Sequence, residues 1–294
     1  MSNNPLAGTA IGFGTMSLCI ENDRPTEAES IRMIEELIDE AGLNFIDTAD
    51  AYCLNEKEFG YGDRIVSKFM GRKNVIVATK GGFTRPEGAW KPCGNPAYLR
   101  AACEASLKNM GAETIDLYQY HRPDPTVPYA DSLGELARLR EEGKIKHIGI
   151  SNASLKQLTL AKEIVDVSSI QNQLSVLGYQ AKWDDPIFRF CEANDVAFIA
   201  YGPLTGHLTP YMLETLSERF NQAARERSLT PYQLALLGLR GLSPTIIPIP
   251  GSTSKQHVLE NLSVSKITLA QDVVSEINAM LREDVKKPKA KNLV

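Results

Sequence analysis

Short apolar runs alternate with longer stretches of helical periodicity along most of the chain. Eight of these runs are continuous or weakly alternating, which is the pattern of parallel strands buried on both faces. Because a polar segment long enough for a helix separates most of them, the pattern predicts a parallel sheet with crossover helices. The eight predicted strands are residues 10–14, 44–47, 75–79, 115–120, 147–150, 169–172, 197–200 and 245–249.

Two of the intervening segments show the helical pattern with clear ends. Residues 26–40 place apolar side chains on one face, and Thr26 followed by Glu29 is a capping signal at the start of a helix. Residues 131–142 repeat the pattern, and Gly143 follows where a helix can end. Eight strands separated by helices predict an α/β protein with the (β/α)8 architecture of a TIM barrel, although an open doubly wound sheet would give a similar string.

The length of the chain suits this architecture. A (β/α)8 barrel typically needs about 250 residues, and the chain has 294, of which 43% are hydrophobic. That is enough apolar material for one large core. We therefore expect residues 1–294 to form a single domain.

Charge and cysteine usage argue against several other classes of protein. The formal net charge is −4, so no global positive field attracts nucleic acid, and the basic cluster at residues 286–291 is expected to be a solvated tail. The five cysteines are scattered and form no C-x-x-C pair, which disfavours a disulfide framework or a metal site. The sequence shows neither a secretory signal nor a membrane-spanning run. A cytoplasmic protein without membrane or nucleic-acid partners is expected.

Polar and ionisable side chains follow the ends of the predicted strands. Asp47 ends the second strand, Lys80 follows the third and His121 follows the fourth, while Tyr52 lies in the loop after Asp47. Each alone has an ordinary interpretation, such as a capped turn, a solvated lysine or a structural histidine. In a parallel barrel, however, these strand ends meet at one mouth. Convergence of four such groups at one mouth is what a catalytic site requires.

These four residue types suit the reduction of a carbonyl group to an alcohol. A carbonyl that accepts a hydride develops negative charge on its oxygen and needs a nearby proton donor. Tyr52 can donate that proton, and the ammonium group of Lys80 should lower the phenol pKa from its usual value near ~10. Asp47 can keep Lys80 charged, and His121 can hydrogen-bond the carbonyl oxygen and orient it.

Five segments resemble the signatures of the aldo-keto reductase family, in family order. They are residues 44–52 (NFIDTADAY), 78–80 (ATK), 116–121 (DLYQYH), 143–152 (GKIKHIGISN) and 249–252 (IPGS). The resemblance runs from about residue 12 to about residue 261, and some of the sequence is similar to pyridoxal reductases. It implies an NADPH-bound (β/α)8 barrel with a catalytic tetrad. The matching positions are Asp47, Tyr52, Lys80 and His121, the four already selected by their chemistry.

The resemblance also implies where the cofactor NADPH binds. Ser151, Asn152 and Gln171 correspond to the residues that hold the nicotinamide carboxamide, and Tyr201 corresponds to the aromatic residue that stacks on the nicotinamide ring. The loop after the last predicted strand, residues 251–255, corresponds to the site of the adenosine 2′-phosphate. Glu260 and Asn261 correspond to contacts with adenine. The cofactor-binding residues expected on this ground are Ser151, Asn152, Gln171, Tyr201, Gly202, Leu204, Gly251, Ser252, Thr253, Lys255, Glu260 and Asn261.

The chain departs from the family pattern at several positions. His257 stands where many members carry arginine, and the segment after Leu204 is short, so the loop that clamps the cofactor pyrophosphate is expected to be reduced. Cys53 follows Tyr52 where glycine is common, and an acidic stretch comes next. We therefore expect NADPH to be preferred over NADH but held less tightly than in longer members.

Three other interpretations stay open on the sequence alone. Gly12-Phe13-Gly14 resembles a dinucleotide-binding phosphate loop, but Ser17 replaces its third glycine. Lys80 could instead form a Schiff base, for which its amine must be neutral, whereas Asp47 favours the charged form. A non-catalytic NADP(H)-sensing subunit, similar to the barrel subunits of potassium channels, would keep the same tetrad.

The substrate pocket is expected between two loops at the barrel mouth. These are residues 81–96, which include Phe83, Arg85 and Trp90, and residues 122–128. Trp90 could stack on an aromatic substrate or simply pack its own loop. The expected partner is a small-molecule carbonyl compound, and the expected oligomeric state is a monomer or a weak homo-oligomer.

Overall fold

Eight parallel strands form the centre of the computed structural model, which describes residues 4–175, 185–204 and 218–285. Two further strands, β4 (Phe83–Thr84) and β5 (Lys91–Pro92), pair as a separate antiparallel hairpin. In chain order the strands are β1 (Phe13–Gly14), β2 (Phe45–Asp47), β3 (Ile76–Gly81), β4 (Phe83–Thr84), β5 (Lys91–Pro92), β6 (Ile115–Tyr120), β7 (Ile145–Ser151), β8 (Val167–Gln173), β9 (Ala197–Tyr201) and β10 (Ile246–Pro248).

Helices connect the parallel strands. The sheet order β1-β2-β3-β6-β7-β8-β9-β10 follows the chain, as in a barrel wound in one direction. The helices are α1 (Glu27–Ala41), α2 (Tyr61–Val66), α3 (Pro96–Met110), α4 (Tyr129–Glu141), α5 (Leu155–Ile164), α6 (Pro186–Ala193), α7 (Glu218–Glu226), α8 (Pro231–Arg240), α9 (Lys255–Ser263) and α10 (Gln271–Val285).

The first and last strands are joined by backbone hydrogen bonds. The Gly12 N–H donates to the Pro248 carbonyl at 2.9 Å, and the Gly14 N–H donates to the Pro250 carbonyl at 3.5 Å. A Cβ at Gly14 would lie 2.9 Å from the Ile249 carbonyl oxygen, too close for any other residue. The predicted (β/α)8 barrel is therefore confirmed, and the two glycines of the Gly-x-Gly run serve its closure.

The ends of helices α1 and α4 lie at or near the residues that the sequence predicted. Thr26 and Glu29 form the expected capping box at α1, and Gly42 ends that helix with a positive φ of 69°. Helix α4 begins at Tyr129, two residues earlier than expected, because Pro128 occupies its N-cap. The first strand is shorter than predicted, since only Phe13 and Gly14 have ladder partners on β2.

Two apolar layers surround the sheet. The larger lies between the strands and the helices, and the smaller lies inside the barrel. The interior layer includes Leu6, only 1% exposed, in one cluster with Phe45, Ala78 and Leu117. The segment before the first strand thereby contributes an apolar side chain to the interior of the barrel.

Two properties of the described residues bear on membranes and metals. In residues 4–175, 185–204 and 218–285, no helix combines the length and apolarity needed to span a membrane. The same residues contain no cluster of three or more histidine, cysteine or acidic side chains that could hold a metal ion. The basic cluster at residues 286–291 lies outside the described residues.

Candidate active site

The four residues selected from the sequence meet at the carboxyl end of the barrel. Asp47 is the last residue of β2, Lys80 lies near the end of β3, and His121 directly follows β6. The Lys80 ammonium donates to Asp47 Oδ2 at 2.6 Å and to the Tyr52 hydroxyl at 3.0 Å. The ring of His121 lies 5.7 Å from that of Tyr52, edge to face. The structure therefore brings all four groups into one cluster.

The loop after β2 carries Tyr52 into this cluster. The Tyr52 N–H donates to the Ala49 carbonyl at 3.1 Å, and the Asp50 N–H donates to the Lys80 carbonyl at 3.1 Å. Helix α2 packs tightly beneath the loop at Gly62, where a Cβ would lie 2.5 Å from the Ala49 carbonyl oxygen. This close approach and the two backbone hydrogen bonds fix the position of the Tyr52 phenol relative to the barrel.

The carboxylate of Asp47 is fully buried and hydrogen-bonded at both oxygens. Oδ2 accepts from Lys80, and Oδ1 accepts from the side-chain amides of Gln119 at 2.9 Å and Gln171 at 2.7 Å. Sequence reasoning missed Gln119, although a polar residue within the apolar run of β6 was a usable signal. Gln171, expected to hold the nicotinamide carboxamide, is 2% exposed, and its side-chain amide donates to Asp47.

Burial and neighbouring charges together set the pKa values of Tyr52 and Lys80. Burial raises the pKa of Tyr52 to about 12, and the nearby Lys80 ammonium only partly offsets this. Lys80 lowers the pKa of Tyr52 as expected, but the net shift is upward because desolvation outweighs the neighbouring charge. Burial also lowers the pKa of Lys80, but Asp47 and Tyr52 raise it above its ordinary value overall. At neutral pH the pair is a phenol beside an ammonium ion.

The imidazole of His121 is neutral at physiological pH. Burial, together with the positive charges of Lys80 and Arg122, holds its pKa well below the usual value. Within the described part of the chain its Nδ1 has no hydrogen-bond partner. Neutral imidazole carries one N–H donor and one acceptor nitrogen, so His121 can donate a hydrogen bond without competing for the proton of Tyr52.

Three of the expected cofactor contacts form a connected group beside His121. The Asn152 side-chain amide donates to the His121 carbonyl and to Ser151 Oγ, both at 3.0 Å. Asn152 Oδ1 accepts from the Tyr201 hydroxyl at 2.8 Å. Asn152 adopts a positive φ of 55°, a conformation that asparagine tolerates better than most residues. Ser151, Asn152 and Tyr201 are therefore brought together, next to the tetrad.

The chain after β9 contributes two further expected contacts. Gly202 has a positive φ of 60°, and Leu204 packs against the outer apolar layer. The predicted reduction of the pyrophosphate clamp concerns the segment that continues from Leu204, and residues 205–217 lie outside the described residues.

The loop after β10 leads into the N-terminus of α9. Gly251 approaches the first strand closely, since a Cβ there would lie 2.6 Å from the Gly14 carbonyl oxygen. Ser254 caps α9 by accepting from the His257 N–H at 3.4 Å, and the loop residues Ser252 and Thr253 lie beside this helix end. The helix end can therefore face an anion with free backbone N–H groups.

Lys255 is engaged in ion pairs that the sequence did not reveal. Its ammonium lies 2.9 Å from Glu36 Oε2 and 2.7 Å from Glu40 Oε1, both on α1. The only signal was that these acids are four residues apart and so share one face of α1. Of the expected adenine contacts, Glu260 accepts a hydrogen bond from Thr230, and Asn261 is 6% exposed.

The β4–β5 hairpin covers one side of the mouth. Its Phe83 ring lies 4.7 Å from that of His121, and its Trp90 ring lies 6.3 Å from that of Tyr52. The guanidinium of Arg85 stacks on Trp90 at 3.8 Å from the ring centroid. Trp90 is 42% exposed, so the hairpin presents a partly exposed aromatic side chain beside the phenol of Tyr52.

A cavity of about 890 Å³ lies beside this mouth and includes none of the tetrad. It is bounded by the loop after Tyr52, the β4–β5 hairpin and helix α3. Asp50, only 3% exposed, lines it with a buried carboxyl group. Burial and the nearby Asp63 raise the pKa of Asp50 well above its ordinary value.

Asp50 should therefore make stability depend on pH. A carboxyl group whose pKa rises on folding holds its proton more firmly when folded, so stability falls as pH rises above the unfolded value of 3.8. Asp50→Asn cannot ionise, so its stability relative to the parent protein should rise with pH above the unfolded value of 3.8, by a few degrees in Tm. The same substitution at exposed Asp23 is the control. A Tm difference independent of pH would contradict the assignment.

Comparison with known proteins places this cluster in a family. Residues 10–282 match the model of the aldo/keto reductase family. An uncharacterized oxidoreductase of Schizosaccharomyces pombe is 32% identical over 284 residues, covering 96% of this chain and 88% of that protein. The chain belongs to the aldo/keto reductase family. It is an oxidoreductase that reduces aldehyde or ketone groups to alcohols.

Solved structures share the fold at lower identity. A glycerol dehydrogenase from Gluconobacter oxydans superimposes with a TM-score of 0.80 at 23% identity, covering 97% of this chain and 94% of that one. An aldo/keto reductase from Klebsiella pneumoniae, solved with NADP and acetate, superimposes with a TM-score of 0.76 at 22% identity, covering 96% and 93%. These likenesses agree with the barrel described above.

Proposed function

We propose that this protein reduces an aldehyde or ketone with NADPH and that Tyr52 donates the proton to the carbonyl oxygen. The observation that carries the proposal is the buried chain of hydrogen bonds from Asp47 through Lys80 to Tyr52, with neutral His121 beside the phenol. The Klebsiella pneumoniae reductase of the same fold was solved with NADP, which supports the choice of cofactor.

The chemistry of the residues at the mouth fits a nicotinamide dinucleotide. Ser151 and Asn152 can hold a carboxamide through their side-chain oxygen and nitrogen atoms, and Tyr201 offers a half-buried ring beside them. The capped N-terminus of α9 and the close backbone at Gly251 can receive a phosphate. When bound, the cofactor supplies the hydride that reduces the carbonyl carbon.

The protein side chains supply the proton to the carbonyl oxygen and stabilise the group that donates it. Tyr52 is a phenol at neutral pH, so it can give its hydroxyl proton to the carbonyl oxygen and become a phenolate. Lys80 stabilises that phenolate, because its ammonium already lies 3.0 Å from the phenol oxygen. His121 donates a hydrogen bond to the carbonyl oxygen and orients it, and Asp47 holds Lys80 in place. Solvent returns the proton to Tyr52 after the alcohol leaves.

The ion pair between Lys80 and Asp47 argues against Schiff-base chemistry. A lysine nucleophile must be neutral, whereas the Asp47 carboxylate at 2.6 Å favours the ammonium form. Borohydride should therefore trap no substrate on Lys80.

The test of the proposed function is NADPH consumption with a panel of aldehydes and ketones, including simple aromatic aldehydes, pyridoxal and keto sugars. The expected result is oxidation of NADPH with formation of the matching alcohol in equal amount. Tight NADPH binding without turnover of any member of the panel would favour the non-catalytic, cofactor-sensing alternative.

The preference for NADPH over NADH should depend on Lys255 and on the two acids that pair with it. Lys255→Ala should raise the KM for NADPH about three- to tenfold and leave that for NADH nearly unchanged, since only NADPH carries a 2′-phosphate. Replacing Glu36 and Glu40 together with glutamine frees the ammonium and should lower the KM for NADPH. Exposed Lys266→Ala is the charge control. Equal weakening of both cofactors, or a wild-type preference for NADH, would refute the assignment.

A further inference from the structure

Arg85 is a buried cation with unused hydrogen-bond donors. Only 5% of the residue is exposed, and its Nη2 donates to the backbone carbonyls of Cys53 at 3.1 Å and Leu54 at 3.3 Å. Its Nε and Nη1 are buried without a hydrogen-bond partner among the described residues. A buried donor left unpaired costs stability, so a purely structural arginine would be expected to pair these groups.

No carboxylate neutralises this guanidinium in the described part of the chain. Asp50, Glu56 and Glu87 line the same cavity as Arg85, but none of them forms an ion pair with it, and Glu56 instead accepts from the Glu87 N–H at 2.9 Å. Lys91 also lines this cavity and adds positive charge. Arg85 therefore keeps its full charge available to an incoming anion.

The position of Arg85 connects it to the reacting end of the site. Its guanidinium stacks on the indole of Trp90 at 3.8 Å, and the same indole lies 6.1 Å from the ring of His121 and 6.3 Å from that of Tyr52. Trp90 is thus a cover shared by the guanidinium and the phenol. Because the indole is 42% exposed, it can turn outward without leaving a packed core.

We propose that Arg85 binds an anionic group on the substrate, a carboxylate or a phosphate, when Trp90 turns aside. The natural substrate is then a carbonyl compound with a negative charge at its far end, and Arg85 determines this specificity. The inference rests on the proposed function, since it assumes that the carbonyl lies at Tyr52. Charge-assisted hydrogen bonds of this kind are about twice as strong as neutral ones, and the buried setting strengthens them further.

Matched substrates test the proposal through kinetics. 4-Carboxybenzaldehyde and its neutral methyl ester differ in one charge, and 4-formylphenyl phosphate supplies the other anion. Wild-type protein should have a kcat/KM for at least one anionic aldehyde about tenfold or more above that for the ester, mainly through KM. Arg85→Met should abolish the preference while retaining turnover of the ester, and Arg85→Lys should retain part of it. Exposed Lys57→Met, which removes the same charge from the loop after Tyr52, should leave the preference intact.

A binding measurement distinguishes failure of this inference from failure of the proposed function. With Trp183→Phe as the background, Trp90 is the only tryptophan, and its fluorescence should change on addition of benzoate or phenyl phosphate but much less with benzyl alcohol. Arg85→Met should remove the anion response. If no aldehyde is reduced yet this response is found, the reductase proposal fails and the anion site stands. Equal reduction of ester and both anions, or an equal fluorescence response to the neutral alcohol, would overturn the anion site.

Discussion

Tyr52→Phe should lower kcat for a good aldehyde substrate by at least about 100-fold, the lower range for losing a positioned proton donor. The substitution removes only the hydroxyl group. The ring, 7% exposed, keeps its edge contacts with Trp90 and His121. Lys80 keeps its bonds to Asp47 and to the Thr48 carbonyl, so no buried charge is left alone.

This result is informative because folding and cofactor binding should both survive. The dissociation constant of NADPH, measured by fluorescence titration, should change by less than about threefold, since no expected cofactor contact is touched. Tyr61→Phe is the matched control: it removes a buried phenol whose hydroxyl donates to the Pro25 carbonyl at 3.2 Å, outside the tetrad. Near-normal aldehyde reduction by the Tyr52 variant would exclude this residue as the donor.

Much of the fold could be predicted because strand pattern and chain order constrain each other. Eight apolar runs in sequence order gave the barrel, and barrel geometry then placed Asp47, Lys80 and His121 at one mouth. The location of Tyr52 at the same mouth could be predicted because it lies only five residues after Asp47. These predictions required only the position of each residue on its helix or strand, and the local sequence pattern shows that position.

What could not be predicted depends on contacts between distant segments. The side-chain amides of Gln119 and Gln171 donate to Asp47, from which they are 72 and 124 residues away in the sequence. Lys255 donates to Glu40, which is 215 residues away. The net rise in the pKa of Tyr52 could not be predicted for a related reason: the sequence shows the charged neighbour, whereas desolvation depends on everything packed around the phenol.

Lys80→Met should also cause a large loss, of about 100-fold or more in kcat, and should change the pH dependence in a defined direction. Without the ammonium, the pKa of Tyr52 should rise further, because Lys80 is the main group that lowers it. The effect is clearest in the reverse reaction, alcohol oxidation, in which the Tyr52 phenolate accepts the proton. At any pH below the Tyr52 pKa the variant holds less phenolate, tenfold less for each pKa unit, so its oxidation rate should rise only at higher pH than in wild type.

Asp47→Asn should reduce activity in the same direction, and the double variant should lose much less than the two single losses multiplied together. Asp47 acts only through Lys80, so once the lysine is gone the carboxylate has no cation to orient. Removing one partner alone also leaves the other as a buried charge without its counter-ion, at positions 0% and 1% exposed, and the double variant avoids that penalty. Thermal unfolding should follow the same non-additive pattern as kcat. Fully multiplicative losses in kcat would mean that the two residues act independently and that the chain from Asp47 to Tyr52 is not one catalytic unit.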